Sequence, residues 1–214
     1  MKKLIDLLMF DLDGTLADTG RDLADAVNFT RAHFDLPSLP DSAVLAHVGR
    51  GVEHLLKHAL PEEPNRFEEV LRVFLRRYEN HLLDATALYP HVHQTLEHFR
   101  GKRRAVVSNK MHRLTVAVLR GLGVESCFDM ILGGDSAPQK KPDPSLLQRA
   151  LIGFAVPAER ALMVGDGDID IEAGKRAGVV TCGVTYGLGR KQDIIAAAPD
   201  FIIDSLSELV RYIY

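Results

Sequence analysis

Two aspartates separated by one residue and followed at once by glycine close the first apolar run of this chain. The run is Leu4 to Phe10, and it leads into Asp11-Leu12-Asp13-Gly14-Thr15-Leu16. Residues two apart on an extended segment face the same side. Asp11 and Asp13 can therefore present both carboxylates at a strand's carboxyl end, where open α/β sheets bind their ligands. Gly14 lets the chain turn away, and backbone N–H groups in such a turn can cradle an anion. A surface turn with two solvated aspartates would satisfy the same string, because Asp and Gly are common turn residues. The remainder of the chain separates the two readings.

Further β-type runs follow at Arg104 to Val107, Phe128 to Leu132, Ala161 to Val164, Val179 to Val184 and Phe201 to Ile203. A polar or glycine-containing loop and a helical pattern come after each, apart from the last. Pro90 opens a helix reaching about Arg100, Leu114, Val118, Leu119 and Leu122 form an apolar stripe on the next, and Pro144 opens a third with Leu146, Leu147, Ala150 and Leu151 facing inward. Strands alternating with helices predict an α/β fold, a Rossmann-like doubly wound and mainly parallel sheet. Residues 19–84 break the alternation. They read as helices alone, Asp22 to Phe34, Ala43 to Leu60 and Arg66 to Leu83, punctuated by Pro37, Pro40, Pro61 and Pro64. The expected organisation is a core of residues 1–18 and 85–214 with a helical subdomain, residues 19–84, inserted after the first strand.

A second acidic cluster follows the fourth run: Val164-Gly165-Asp166-Gly167-Asp168-Ile169-Asp170. Hard divalent cations take oxygen ligands, and Mg²⁺ is commonly held by one or two carboxylates with water and phosphate oxygens. Asp166, first after its strand, is the natural partner of Asp11. Asp168 and Asp170 begin a helix, where acidic residues also complement the dipole. That suffices for Asp168, while Asp170, one turn beyond Asp166, can turn back to orient the site. Ser108 and Asn109 end another strand and suit phosphate oxygens, although either also makes an ordinary helix cap. Lys140-Lys141-Pro142-Asp143-Pro144 offers an ammonium beside a proline, or simply a solvated turn.

Composition narrows the partners. The 46% hydrophobic and 26% charged fractions are those of a globular protein, and a net charge of −3 gives no basic field for nucleic acid or an anionic membrane. No apolar stretch approaches the ~20 residues that span a bilayer. The start, Met1 to Asp6, is interrupted by an acid and does not read as an export signal. The expectation is a cytoplasmic monomer or homodimer, and the mild acidity does not argue against a small phosphorylated metabolite, which needs only a local positive site. Cys127 and Cys182 fit no zinc or redox spacing and read as free thiols. The nine histidines are scattered; His91, His93 and His98 fall on one expected helix and read as a solvated face rather than a transition-metal site.

The ordered strings DLDGTL, VVSN, KKPDP and VGDGDID resemble the four motifs of the haloacid dehalogenase superfamily of phosphohydrolases. Within it the chain is similar to the phosphoglycolate phosphatase group, through Val48-Gly49-Arg50-Gly51, Leu88-Tyr89-Pro90-His91-Val92, Ser108-Asn109-Lys110, Gly133-Gly134-Asp135 and Gly183-Val184-Thr185-Tyr186-Gly187. The resemblance implies that Asp11 is a nucleophile forming an aspartyl-phosphate, and that Asp13 is first general acid and then general base, which asks Asp13 to carry a proton at the first step. It implies Mg²⁺ held by Asp11, Asp166 and the backbone carbonyl of Asp13, with Ser108, Asn109 and Lys141 binding the phosphoryl group. It also makes residues 19–84 a mobile cap, from which Arg50 is placed to meet a substrate carboxylate, unless it is an ordinary loop arginine. The insert is short for the longer bacterial members, and Asp18-Thr19 stands where Asp-Ser is more usual. A pyrophosphatase, a sugar-phosphate phosphatase or a phosphomutase would share these residues. A receiver-type phosphoacceptor module, which signals rather than turns over, also uses strand-end aspartates, Mg²⁺ and lysine; Asp13 and the insert argue against it.

Overall fold

The computed structural model describes residues 2–214. The first strand, β1, is Leu7–Phe10, with no exposed surface along its length. The chain then turns, passes through a two-residue strand, β2 (Ala17–Asp18), and enters four helices. These are α1 (Gly20–His33), α2 (Asp41–Leu45), α3 (Val52–Ala59) and α4 (Phe67–Asn80). It returns through β3 (Ala87–Leu88), which pairs antiparallel with β2. Helix and strand alternate from there: α5 (Val92–His98), β4 (Arg103–Val107), α6 (His112–Gly121), β5 (Met130–Leu132) and α7 (Ser145–Phe154). Then come β6 (Ala161–Gly165), α8 (Asp168–Ala177), β7 (Val180–Val184), α9 (Lys191–Ala196) and β8 (Phe201–Ile203).

Six strands make one parallel sheet in the order β5-β4-β1-β6-β7-β8. This is the doubly wound α/β class that the alternation predicts. Successive side chains divide between the two faces. Leu8, Phe10, Leu162 and Val164 pack with Val92, Leu96, Val118 and Leu119 on one side. Leu7, Met9, Ala161 and Met163 pack with Leu146, Leu147, Ala150 and Ala173 on the other. Because helices cover both faces, the central strands carry unbroken apolar runs rather than alternating ones. Strand β1 lies between β4 and β6, with Phe10 in register with Val106 and Val164. The winding changes direction there, and the residues that follow these three strands emerge side by side.

Helices α1 to α4 bury a separate apolar cluster, including Leu23, Val27, Val44, Leu55, Leu56, Val70, Phe74 and Tyr78. Leu114 on α6 also joins it. Three local expectations are corrected. Strand β1 starts at Leu7 rather than Leu4: Leu4 is half exposed, and Asp6 sits in a bend paired with Arg160. The single helix expected from Ala43 to Leu60 is broken into α2 and α3, because Gly49 and Gly51 take φ of +96° and +91°, which a helix cannot contain. The last helix of the insert ends at Asn80, short of Leu83. The β2–β3 ribbon and α9 were not foreseen. No helix among the described residues is long and apolar enough to cross a membrane.

One buried acid ties the outgoing and returning chains together. Asp22, in the first turn of α1, accepts from the backbone N–H groups of Ala85 (3.0 Å) and Thr86 (2.9 Å) and from the Thr86 hydroxyl (2.7 Å). Removing the carboxylate would strand these donors in a site where Asp22 is 3% exposed. Hydrogen bonds to a charged group contribute roughly 1.5–3 kcal/mol, and orphaned buried donors add to the loss. Asp22→Ala is therefore expected to lower unfolding free energy in urea by about 2–3 kcal/mol. Asp25→Ala, which removes only an exposed pair with Arg21, should change it by less than about 1 kcal/mol. Equal losses in the two variants would contradict this account of the junction.

Candidate active site

Asp11 follows β1, Ser108 follows β4 and Asp166 follows β6, so the aligned ends of three adjacent strands deliver all three to one place. The Asp11 N–H donates to the Val164 carbonyl at 3.0 Å, which carries the β1–β6 ladder one residue further and fixes the Asp11 backbone. Its Oδ1 accepts from the N–H of Leu12 at 2.7 Å. Carboxylate oxygens of Asp11, Asp166 and Asp170 lie within 4.8 Å of one another, and all three residues are buried.

Lys141 supplies the counter-charge. Its buried Nζ donates to Asp170 Oδ1 at 2.6 Å and the Val107 carbonyl at 2.7 Å, and lies 3.0 Å from Asp11 Oδ1. Burial disfavours an ammonium here, but Asp11 and Asp170 outweigh it and hold Lys141 above the usual lysine range. Asn109 keeps this lysine in place rather than presenting its amide to a phosphate. Its Oδ1 accepts from the Lys141 N–H at 2.8 Å, and its Nδ2 donates to the carbonyls of Lys141 at 2.9 Å and Gly49 at 3.0 Å. Both ends of the amide are thus occupied by backbone. Among the described residues the Ser108 hydroxyl has only one long contact, accepting from the Lys110 N–H at 3.3 Å, and Ser108 lines the cavity beside Asp11.

Asp166 is oriented by Thr15 Oγ1 (3.0 Å) and by the N–H groups of Leu188 (2.9 Å) and Gly189 (2.8 Å). Close packing explains the nearby glycine. A Cβ on Gly14, which has φ +84°, would collide with the Asp166 carboxylate. Burial, then repulsion from Asp11 and Asp170, pushes the Asp166 carboxyl up to about 7. Asp170 is likewise raised, first by burial and then by Asp11, against the pull of Lys141. Its other oxygen accepts from Gly167 N–H at 3.0 Å at the start of α8. Asp170, expected only to orient the others, thus belongs to the same oxygen cluster. Three carboxylates against one ammonium leave net negative charge in a buried oxygen-lined site, which suits a hard divalent cation.

Asp13 faces a different neighbour. Its carboxylate lies outside that cluster and accepts from Lys110 Nζ at 2.9 and 3.0 Å and from Thr19 Oγ1 at 2.7 Å. Lys110, which the motifs contain without singling it out, is the ion-pair partner of Asp13. It is buried with its Nζ 4.8 Å from the Tyr78 ring centre. Burial opposes its charge, yet Asp13 and then Tyr78 raise it above the usual range.

Two spaces meet at Asp11 and Asp13. One is an apolar cavity of about 40 Å³ bordered by Leu23, Val52, Phe74, Tyr78, Ser108 and Lys110. The other, of about 510 Å³, is bordered by Arg50, Asp166, Asp168, Asp170 and Arg190. Arg50 borders this larger space but pairs with Asp168 at 2.7 Å, both partly exposed, so Asp168 does more than complement the helix dipole. The histidines are not all scattered: His47, His54 and His58 gather on the wall of the same space. Burial, and then His58, lower His47 and His54 below the usual histidine range.

The family model for haloacid dehalogenase-like hydrolases matches residues 8–184. A phosphoglycolate phosphatase of Aquifex aeolicus is 37% identical, over 96% of this chain and 95% of its own. The crystal structure of a predicted phosphoglycolate phosphatase from Haemophilus somnus superposes with a TM-score of 0.94 at 30% identity, covering 98% of each chain. CbbY from Rhodobacter sphaeroides, solved in complex with phosphate, gives a TM-score of 0.82 at 26% identity, covering 96% of each.

The clustered acids set a pH dependence. With Asp166 at about 7 in the fold and 3.8 without the fold's influence, the folded state holds this proton more tightly than the unfolded chain. The resulting stabilisation is complete below about pH 4 and is lost as pH rises through about 7. In chelator, the urea midpoint is therefore expected to fall between about pH 5 and about pH 8, and Asp166→Asn should flatten that slope. A divalent ion should restore the wild-type midpoint at the upper end. An unchanged slope in Asp166→Asn would contradict the assignment.

Proposed function

We infer the activity from one premise: the chain belongs to the haloacid dehalogenase-like hydrolase family. It is a divalent-metal-dependent phosphatase of small phosphomonoesters, and Asp11 is the nucleophile. The observation that carries this reading is the pairing of buried Asp11 with Lys141 at 3.0 Å, with Asp166 and Asp170 beside it. A carboxylate attacks an anionic phosphate ester only where charge is neutralised, and Lys141 supplies part of that neutralisation. Mg²⁺ held by Asp11 and Asp166, with Asp170 close by, would supply the remaining positive charge toward the phosphoryl oxygens.

Asp11 Oδ attacks phosphorus and the ester P–O bond breaks, giving an aspartyl-phosphate. Asp13 gives its proton to the departing alkoxide, then takes one from the water that cleaves the acyl phosphate. Lys141 balances the charge on Asp11, and the under-used Ser108 hydroxyl is free to donate to a phosphoryl oxygen. The Lys110–Asp13 pair adds a requirement. When Asp13 takes up its proton, Lys110 loses its partner and becomes available to an anionic group on the substrate. Among the described residues the buried Tyr78 hydroxyl makes no hydrogen bond, and Tyr78 borders the same cavity of about 40 Å³. That volume corresponds to roughly three water molecules. A two-carbon organic group ending in a carboxylate fits this space and chemistry, which favours phosphoglycolate or a close analogue over a hexose phosphate. The helical insert, residues 19–84, acts as the cap over a core of residues 1–18 and 85–214. Its loop through Gly49 and Arg50 meets the core at Asn109 and Asp168, and closure there would exclude water.

Turnover of p-nitrophenyl phosphate with Mg²⁺ should vanish in EDTA and return with added Mg²⁺, and Asp11→Asn should be inactive. Asp13→Asn is expected to lower kcat about 10²–10⁴-fold. Across a panel of phosphoglycolate, glycerol phosphates, hexose phosphates and pyrophosphate, phosphoglycolate should give the highest kcat/KM. Lys110→Met should cut that value about 10- to 100-fold more for phosphoglycolate than for p-nitrophenyl phosphate, the worth of one charged hydrogen bond. A ranking led by pyrophosphate or a hexose phosphate would overturn the substrate assignment and leave the chemistry standing. Stoichiometric labelling without turnover would overturn both.

A further inference from the structure

The three clustered histidines are not used by the chemistry described above. His54 and His58 stand four residues apart on α3, so their rings project from one helix face. His47 comes from the loop created by the break between α2 and α3. Ring centroids are 4.1 Å apart for His54–His58, 4.4 Å for His47–His58 and 5.7 Å for His47–His54. One nitrogen of each lies within 4.8 Å of the others'. The Nδ1 of His58 is 2.8 Å from the His54 carbonyl. A carbonyl can only accept, so Nδ1 is the donor and Nε2 is the nitrogen left to ligate a metal. A backbone carbonyl behind one ring nitrogen is the support that fixes the tautomer of metal-bound imidazoles. Among the described residues, no carboxylate forms an ion pair with any of the three rings.

We propose that His47, His54 and His58 form a second metal site, carried on the helical insert and selective for a borderline transition ion such as Zn²⁺. Three imidazole nitrogens suit Zn²⁺ or Co²⁺ and do not suit Mg²⁺, which prefers oxygen. The two sites therefore separate by donor chemistry, all nitrogen on the insert and all oxygen at the strand ends. Zn–N bonds of about 2.0–2.1 Å in a tetrahedron place nitrogens roughly 3.4 Å apart. Rotation of these partly exposed side chains closes the present spacing to that value. A three-nitrogen set leaves a fourth position. Since all three rings border the space of about 510 Å³ that also reaches Asp11 and Asp166, the open position takes water or an anionic group of a molecule within it.

Co²⁺ titrated into the tag-free protein, with Mg²⁺ in large excess, tests the proposal without reference to turnover. One equivalent should bind and give the visible absorption of a four-coordinate site with three nitrogen ligands. His54→Gln and His58→Gln should each weaken binding at least tenfold, while Asp166→Asn leaves the band in place. In wild-type protein, substoichiometric Co²⁺ should broaden the imidazole proton resonances of His47, His54 and His58 and spare those of His91, His93 and His98, a readout independent of how any variant folds. No bound Co²⁺ in the presence of Mg²⁺, a band lost only in Asp166→Asn, or broadening spread over all the histidines would overturn it.

Discussion

Three carboxylates and one ammonium share a buried volume at the carboxyl end of the central strand. Burying an ion costs several kcal/mol even after relaxation, and an unpaired ion is worse. Lys141 reaches Asp11, Asp170 and a backbone carbonyl at once, so it offsets part of that cost, though not the mutual repulsion of the acids. Asp166 is left with a hydroxyl and two N–H donors and no cation. Such a charge imbalance favours uptake of a proton and suits a divalent cation. The rest of the active end can be understood as scaffolding for that charge imbalance.

The scaffolding is mostly backbone. Register between β1, β4 and β6 places Asp11, Ser108 and Asp166, while Asn109 fixes the Lys141 loop by a reciprocal amide pairing. The same Asn109 reaches the Gly49 carbonyl in the helical insert. One side chain thus connects the lysine that balances the acids to the loop that covers them. Movement of that loop would loosen a group two contacts from Asp11, which gives a physical route by which closure and charge balance can be linked.

Much of the core was legible because its signals are local. Apolar runs bounded by Gly and Asp identify strands, and an acid directly after such a run lies at a strand end whatever the remaining topology. Asp11 and Asp166 were found on that basis. The Ser108-Asn109 string suits phosphate as well as it suits loops, and the pairing of the Asn109 side-chain amide with the Lys141 backbone becomes visible only in the tertiary structure. The break at Gly49 and Gly51 was passed over because the apolar periodicity on either side resembles one helix; a G-x-G pair inside such a pattern was the available warning. Lys110 stands in one of the strings that carry the resemblance, but its pairing with Asp13 across 97 residues of sequence has no local signal. The histidine cluster depends on that same missed break, without which His47 would lie on a continuous helix with His54 and His58.

Asp13 and Lys110 pose the remaining physical question. An acid catalyst needs its proton when the alkoxide departs, yet here both Asp13 oxygens receive donors. The conflict resolves if substrate binding changes the partner of Lys110. A carboxylate brought into the small cavity competes for the same ammonium, and the dianionic phosphate at Asp11 raises the local negative potential. The two effects act together only when both ends of a substrate are present. Inorganic phosphate supplies one without the other, as does a carboxylate that lacks a phosphoryl group. Under the proposed mechanism this ion pair would gate acid catalysis, and selectivity would follow from charge as well as from shape.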